Sequence, residues 1–185
     1  MENPKIKIWT IGHSTRPLDE FLDLLKQNGI RALADVRQFP GSRRYPHFGQ
    51  EQLSKALAHE QIEYVHFPEL GGRRKPLPDS VNTAWRHPAF RGYADYMMTA
   101  EFREGINRLL ALARSKPTAI MCAEAVWWRC HRSLIADYLR AEGHEVIHIM
   151  GKNKTEEHPY TSAAQIVDGK LSYQKTDPQR ELIPE

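Results

Sequence analysis

Short apolar runs alternate along the chain with stretches whose apolar residues recur every three or four positions. Lys5–Ile11 sets Ile6, Ile8 and Trp9 in a β-forming run and predicts a first strand. Leu18, Phe21, Leu22 and Leu25 follow at i, i+3, i+4 and i+7, the spacing of one helix face. Ser14 or Thr15 is expected to cap that helix, with Pro17 in its first turn and Gly29 as its stop. Arg31–Val36 predicts a second strand, Leu53, Ala56 and Leu57 a second helix, and Ile62–Phe67 a third strand. Arg73–Pro88, with three prolines and little periodicity, reads as a surface loop. Ala89–Met98 predicts a short helix, and Phe102, Ile106, Leu109, Leu110 and Ala113 a longer one. Thr118–Ala123 predicts a fourth strand, His131–Glu142 a helix stopped by Gly143, and Glu145–Met150 a fifth strand.

Strands alternating with helices imply a mainly parallel sheet with helices on both faces. Five strands fall short of the eight of a closed (β/α) barrel. The expected architecture is therefore an open three-layer α/β/α domain with a mainly parallel sheet of about five strands. Ala164–Val167 and Leu171–Tyr173 flank Asp168-Gly169 and predict a small C-terminal hairpin. Residues 1–173 are expected to form one α/β domain and 174–185 a tail.

Composition changes the picture by exclusion. The chain has 185 residues, 41% hydrophobic and 26% charged, which suits a folded domain and not a disordered one. No run approaches the ~18 apolar residues of a membrane span. Met1-Glu2-Asn3-Pro4-Lys5 lacks the apolar stretch of a signal peptide. A cytoplasmic protein without membrane association is expected. Lys and Arg total 26 against 23 acids, a net charge of +3 that permits an anionic partner. The two cysteines, Cys122 and Cys130, are too few for a four-thiolate metal centre in one chain.

The candidate chemistry follows from position. In open α/β sheets ligands bind beyond the carboxyl ends of the strands. His13 and Ser14 follow strand one, Asp35 and Arg37 close strand two, Glu69 follows strand three, Cys122 and Glu124 close strand four, and Lys152 follows strand five. At least four of His13, Asp35, Arg37, Cys122 and Glu124 are expected to line one cleft. Each has a plainer reading: Asp35 can pair with Arg37, and a cysteine ending a buried strand is more often an inert apolar residue than a nucleophile.

Two segments sharpen the expectation. Asp35 to Phe48 carries several arginines and aromatics in one loop, with Arg37, Ser42 and Arg43 the candidate anion ligands. Cys122-Ala123-Glu124 and Cys130-His131-Arg132 lie on either side of a strand-to-helix turn. Cys130, His131 and Arg132 sit at a helix N-terminus, whose free N–H groups favour anions and thiolates. The spacing is not the Cys-x5-Arg loop of thiol phosphatases, because Trp128 stands six residues after Cys122. Cys122, Cys130, His131 and His13 can supply metal ligands, but at no compact zinc spacing. Gly12-His13-Ser14-Thr15 is too short for a nucleotide fingerprint, and no motif names a cofactor.

At these residues the chain resembles the DUF488 family, a domain of unknown function. The resemblance rests on Thr10-Ile11-Gly12-His13-Ser14, Asp35-Val36-Arg37 with Pro40 and Ser42, Tyr64 with Leu70-Gly71-Gly72, Cys122-Ala123-Glu124 and Cys130-His131-Arg132. The tail from His158-Pro159-Tyr160-Thr161 to Gly169-Lys170-Leu171-Ser172-Tyr173 also looks like that family, so about residues 6–173 are covered. The resemblance implies a cytosolic α/β domain and names no reaction. Trp127, Trp128 and Arg129 depart from its pattern, where a polar linker is expected.

Three functions are compatible with this reading. The first is an enzyme acting on an anionic substrate: a nucleotide, a nucleic acid or another phosphorylated molecule. There Arg37, Arg43 and Arg132 hold the anion, with Ser14, Ser42 and His131 beside it. Asp35, Glu124 or His13 moves protons, and Cys122 is the nucleophile, with Cys130 its alternative or resolving partner. The second is a nucleic-acid-binding module without chemistry, in which the basic loops Arg37–His47 and Arg73-Arg74-Lys75, with Arg86 and Arg91, track phosphates and Phe39, Tyr45, Trp127 and Trp128 stack on bases. The third is a metal-dependent hydrolase.

Overall fold

A computed structural model describes residues 3–176 of the chain. Met1 and Glu2 of the N-terminal reading, and all of the expected tail beyond 176, lie outside the described residues. Six strands form the main sheet: β1 (Lys7–Gly12), β2 (Ala32–Asp35), β3 (Glu63–His66), β4 (Thr118–Cys122), β5 (Glu145–Gly151) and β6 (Lys154–Glu157). Their order is β3-β2-β4-β1-β5-β6. The first five are parallel to their neighbours, and β6 runs antiparallel to β5. Five α-helices connect them: α1 (Leu18–Gln27), α2 (Gln50–His59), α3 (Pro88–Tyr96), α4 (Ala100–Ser115) and α5 (Arg132–Ala141). The C-terminal hairpin pairs β7 (Gln165–Val167) with β8 (Lys170–Ser172).

The side-chain pattern fixes the layers. Phe21, Leu24 and Leu25 of α1 and Leu53 and Leu57 of α2 pack with Ile11, Leu33 and Met121 on one sheet face. Phe102, Ile106 and Leu109 of α4 and Leu134, Ile135 and Leu139 of α5 pack with Ile8, Ala34 and Ile120 on the other. Each such side chain, fully buried, contributes roughly 1.5–3 kcal/mol. All of Thr118–Cys122 is buried, as a central parallel strand covered on both faces must be.

Two expectations change. The sheet gains β6, whose Lys154-Thr155-Glu156-Glu157 residues are all exposed and so carry no apolar signal. Neither Ser14 nor Thr15 caps α1: Pro17 holds the cap position without a side-chain bond, and Ser14 sits at φ 49° with its N–H on Ala123 O.

This topology positions the site. β1 and β2 send the chain into α1 and α2 on one face, whereas β4 sends it into α5 on the other. β4 lies between β1 and β2. Adjacent strands whose connections leave on opposite faces leave a crevice at their carboxyl ends. The residues just after β4 therefore sit between two such crevices.

Candidate active site

A cleft of about 580 Å³ opens at this edge. His13, Arg37, Cys122 and Glu124, four of the five strand-end residues, line it. Ser14, Ser42, Cys130 and His131 also line it. Asp35, Arg43 and Arg132 do not. Asp35 is fully buried beneath the floor, Arg43 is exposed away from the cleft, and Arg132 is buried behind the loop that follows β4. Glu69 is tied to Arg108 on α4, and Lys152 is in the exposed turn between β5 and β6.

Asp35 holds Arg37. Arg37 Nε donates to Oδ1 at 2.9 Å and Nη2 to Oδ2 at 2.8 Å, while Arg37 N–H donates to Oδ1 and Tyr64 O–H to Oδ2 at 2.5 Å. The carboxylate thus accepts four hydrogen bonds. Arg37 keeps only 8% of its surface exposed, and its third nitrogen, Nη1, lies 3.4 Å from His13 Nε2. His13 places Nδ1 3.0 Å from Ser14 O, which assigns the ring proton to Nδ1. Burial, with Arg37 adding to it against the Ser14 hydrogen bond, lowers the His13 pKa to about 4, so the imidazole is neutral near pH 7. Its ring stacks on Phe48, with centroids 4.4 Å apart.

The two cysteines diverge. Cys122 Sγ lies 3.6 Å from Glu124 O, and burial pushes its thiol well up. Cys130 sits just before α5. Burial also opposes its thiolate, but hydrogen bonds from the Cys122 thiol and the Arg132 backbone N–H, with the Arg132 guanidinium, outweigh it and lower its pKa. Cys130 Sγ lies 3.3 Å from His131 Nδ1. His131 Nε2 lies 2.9 Å from Val36 O, so it carries the proton and Nδ1 is left to accept one from Cys130. A thiol, a neighbouring base and a third group that orients the base form the geometry of an activated nucleophile. Burial lowers the His131 pKa as well.

Arg132 acts on the loop. Its Nη2 donates to Glu124 O at 3.0 Å and to Ala125 O at 3.1 Å. Nη1 donates to Thr10 Oγ1 at 3.2 Å. Thr10 Oγ1 lies 2.5 Å from His148 Nδ1, His148 Nε2 lies 2.8 Å from His158 Nδ1, and His158 Nε2 lies 2.7 Å from Asp137 Oδ1. The donors can all point one way, from guanidinium to carboxylate through the two imidazoles. Burial and the neighbouring His158 and Arg132 lower the His148 pKa to about 2, which keeps it neutral. The file, every member of it buried, anchors the carbonyls of the loop that carries Glu124.

Other cleft residues belong to the basic, aromatic stretches expected to bind anions or nucleic acid, or, like Gly72, lie outside the sequence expectation of a site. Arg44 lies over the Tyr45 ring and Arg73 over the Phe39 ring, and all four line the cleft. Gly72 approaches His131 so closely that a Cβ would stand 3.0 Å from Nδ1. Gly71-Gly72 was the available signal, because paired glycines mark close backbone approach. Among the described residues no three His, Cys, Asp or Glu side chains are grouped to hold a metal ion. No helix of the described residues is long and apolar enough to cross a membrane.

Fold and cleft define an α/β protein with a thiol–imidazole pair at the carboxyl edge of its sheet. The chain belongs to the family described as domain of unknown function DUF488, whose model matches residues 17–139. That span holds every cleft-lining residue named above except His13 and Ser14. Comparison with curated proteins and with solved structures finds no match.

Proposed function

We propose that this chain is a thiol-dependent enzyme acting on an anionic substrate. The alignment of Cys130, His131 and Val36 O on the wall of a basic cleft carries this reading. Cys130 Sγ attacks the electrophilic atom of the substrate as its proton passes to His131 Nδ1. The bond to the leaving group breaks, and the leaving group takes that proton. Arg44 and Arg73, with Arg37, whose Nη1 faces His13 and not Asp35, supply the positive charge that favours an anion. Asp35 positions Arg37 rather than moving protons, since its oxygens are already engaged. Cys122 stays protonated and supports the Cys130 thiolate. Two free thiols lining one cleft suit a reducing, cytoplasmic setting.

Timed iodoacetamide labelling of the native protein tests this. Cys130 should be labelled first, and inorganic phosphate in the buffer should slow it in a saturable way. Labelling of neither thiol before unfolding would sink the proposal. A binding module without chemistry is favoured by one observation, the 66% exposure of Phe39 at the basic rim. In that case affinity for single-stranded nucleic acid should fall linearly on a log–log plot against salt, with no dependence on Cys130.

A further inference from the structure

A second cavity, of about 450 Å³, adjoins the first on the far side of Cys130 and His131. The two share Gly72, Arg73, Glu124, Cys130 and His131 in their walls. Their other walls differ in kind. The first has Arg37, Arg44 and Ser42 with Phe39 and Tyr45 at its rim, and the second has Phe90, Tyr93 and Trp128 with His87 and a single further cation, Arg129. A substrate reacting at Cys130 therefore meets more cationic and hydroxyl groups on one side and a more aromatic wall on the other.

We propose that the two lobes together accommodate a nucleotide unit, its phosphate in the arginine lobe and its base in the aromatic lobe. This rests on the thiol-enzyme reading for the position of the reacting atom, not for the aromatic lobe itself. Trp128 is the strongest element. It leaves 50% of its surface in solvent, an unusual exposure for an indole that a buried neighbour could have covered. It is not loose: Trp127 holds it edge-on, with centroids 5.5 Å apart and planes at 88°. Trp127 is itself fixed, with Nε1 donating to Glu156 Oε2 at 3.1 Å and its ring stacked 4.8 Å from His148 at 6°. A rigid, half-exposed ring face beside a cationic lobe suits a planar, polar-edged ring better than an aliphatic chain. Polar groups for the base edge are at hand. His87 Nδ1 accepts from Ala89 N–H, which leaves its Nε2 as donor, and the exposed Glu124 carboxylate lines the same lobe.

The probe series is inorganic phosphate, ribose 5-phosphate, AMP and a short oligo(dA), with affinity read from protection of Cys130 against iodoacetamide and from Trp fluorescence. AMP should bind at least about fivefold more tightly than ribose 5-phosphate, since base stacking on an aromatic contributes about that much or more. Trp128→Ala should erase the difference while phosphate affinity stays unchanged, and Trp128→Phe should retain part of it. Oligo(dA) binding no more tightly than AMP identifies a free nucleotide, and a large gain identifies a nucleotide within a strand; both support the proposal. Equal affinity for AMP and ribose 5-phosphate would overturn the base lobe and leave the thiol enzyme standing. Absence of phosphate protection, with Cys130 unreactive, would instead count against the enzyme reading itself.

Discussion

Arg37 folds back onto Asp35, two residues before it, and covers both carboxylate oxygens at 2.9 and 2.8 Å. An ion pair this buried is a structural strut as well as a charge at the cleft. Removing one partner leaves the other unpaired, at a cost of about 3–5 kcal/mol. Arg37→Ala should therefore lower the urea midpoint markedly. Arg44→Ala, at an exposed position, should change stability by no more than about 0.5 kcal/mol. Equilibrium urea unfolding of the two variants separates a strut from a surface cation.

Cys122 matters through its neighbour. Its thiol is pushed up by burial, while the hydrogen bond it offers helps lower the Cys130 pKa. The rate of Cys130 alkylation against pH should give an apparent pKa below the free thiol value of about 8.5. Cys122→Ala should move that value upward, with the native fold retained. An unchanged profile in the variant would show that the two sulfurs are not coupled.

Acid should unfold the protein through its buried imidazoles. The His13 pKa is about 4 and the His148 pKa about 2, both lowered by burial from the ordinary 6.5. The unfolded chain thus binds protons that the folded chain refuses. Stability is complete above pH 6.5 and declines as pH falls below it, toward the folded values. Each histidine contributes a slope of about 1.4 kcal/mol per pH unit in that window. Between pH 7 and pH 5 the two together should remove about 4 kcal/mol, read from urea titrations at each pH. His13→Asn should take out one proton's share of the slope.

Gly12 ends β1 against the loop after β4. A Cβ there would stand 1.7 Å from Glu124 O, a backbone atom that Arg132 already holds. Gly12→Ala should cost about 1–3 kcal/mol or more in a thermal or urea melt, because the neighbour cannot swing aside. It should also slow Cys130 labelling, since Glu124 and Cys130 share the same cleft wall.

The five parallel strands were legible to within two residues, the inner ones because strands covered on both faces read as apolar runs, and edge strand β3 from its β-forming Tyr64 and Val65. The same runs put His13, Arg37, Cys122 and Glu124 at one edge. What escaped was whatever depends on pairing between distant residues. β6 is polar throughout and exists because Asn153, at φ 56°, turns the chain back onto β5. For Arg37 the sequence left two readings, anion ligand or partner of Asp35, and the structure buries it on Asp35 while keeping it on the cleft wall. Arg132 reads as an anion ligand at a helix start, yet Thr10, on a distant strand, turns it inward onto carbonyls. Cys130 and His131 are neighbours in sequence, but Val36 O, which selects the His131 tautomer, lies 95 residues away.

The buried file from Arg132 through Thr10, His148 and His158 to Asp137 has a consequence for inheritance. Thr10, His148 and His158 each give a hydrogen to one neighbour and receive one from the other, so none of the three has a spare partner. A substitution at His148 that cannot both accept and donate strands Thr10 on one side and His158 on the other. A stranded polar group in a core costs about 1–3 kcal/mol, and here two would be stranded at once. Drift at one position is then open only to a chain that changes a second along with it. Among relatives, the five residues should pass down as a single character, kept whole or exchanged for an apolar set.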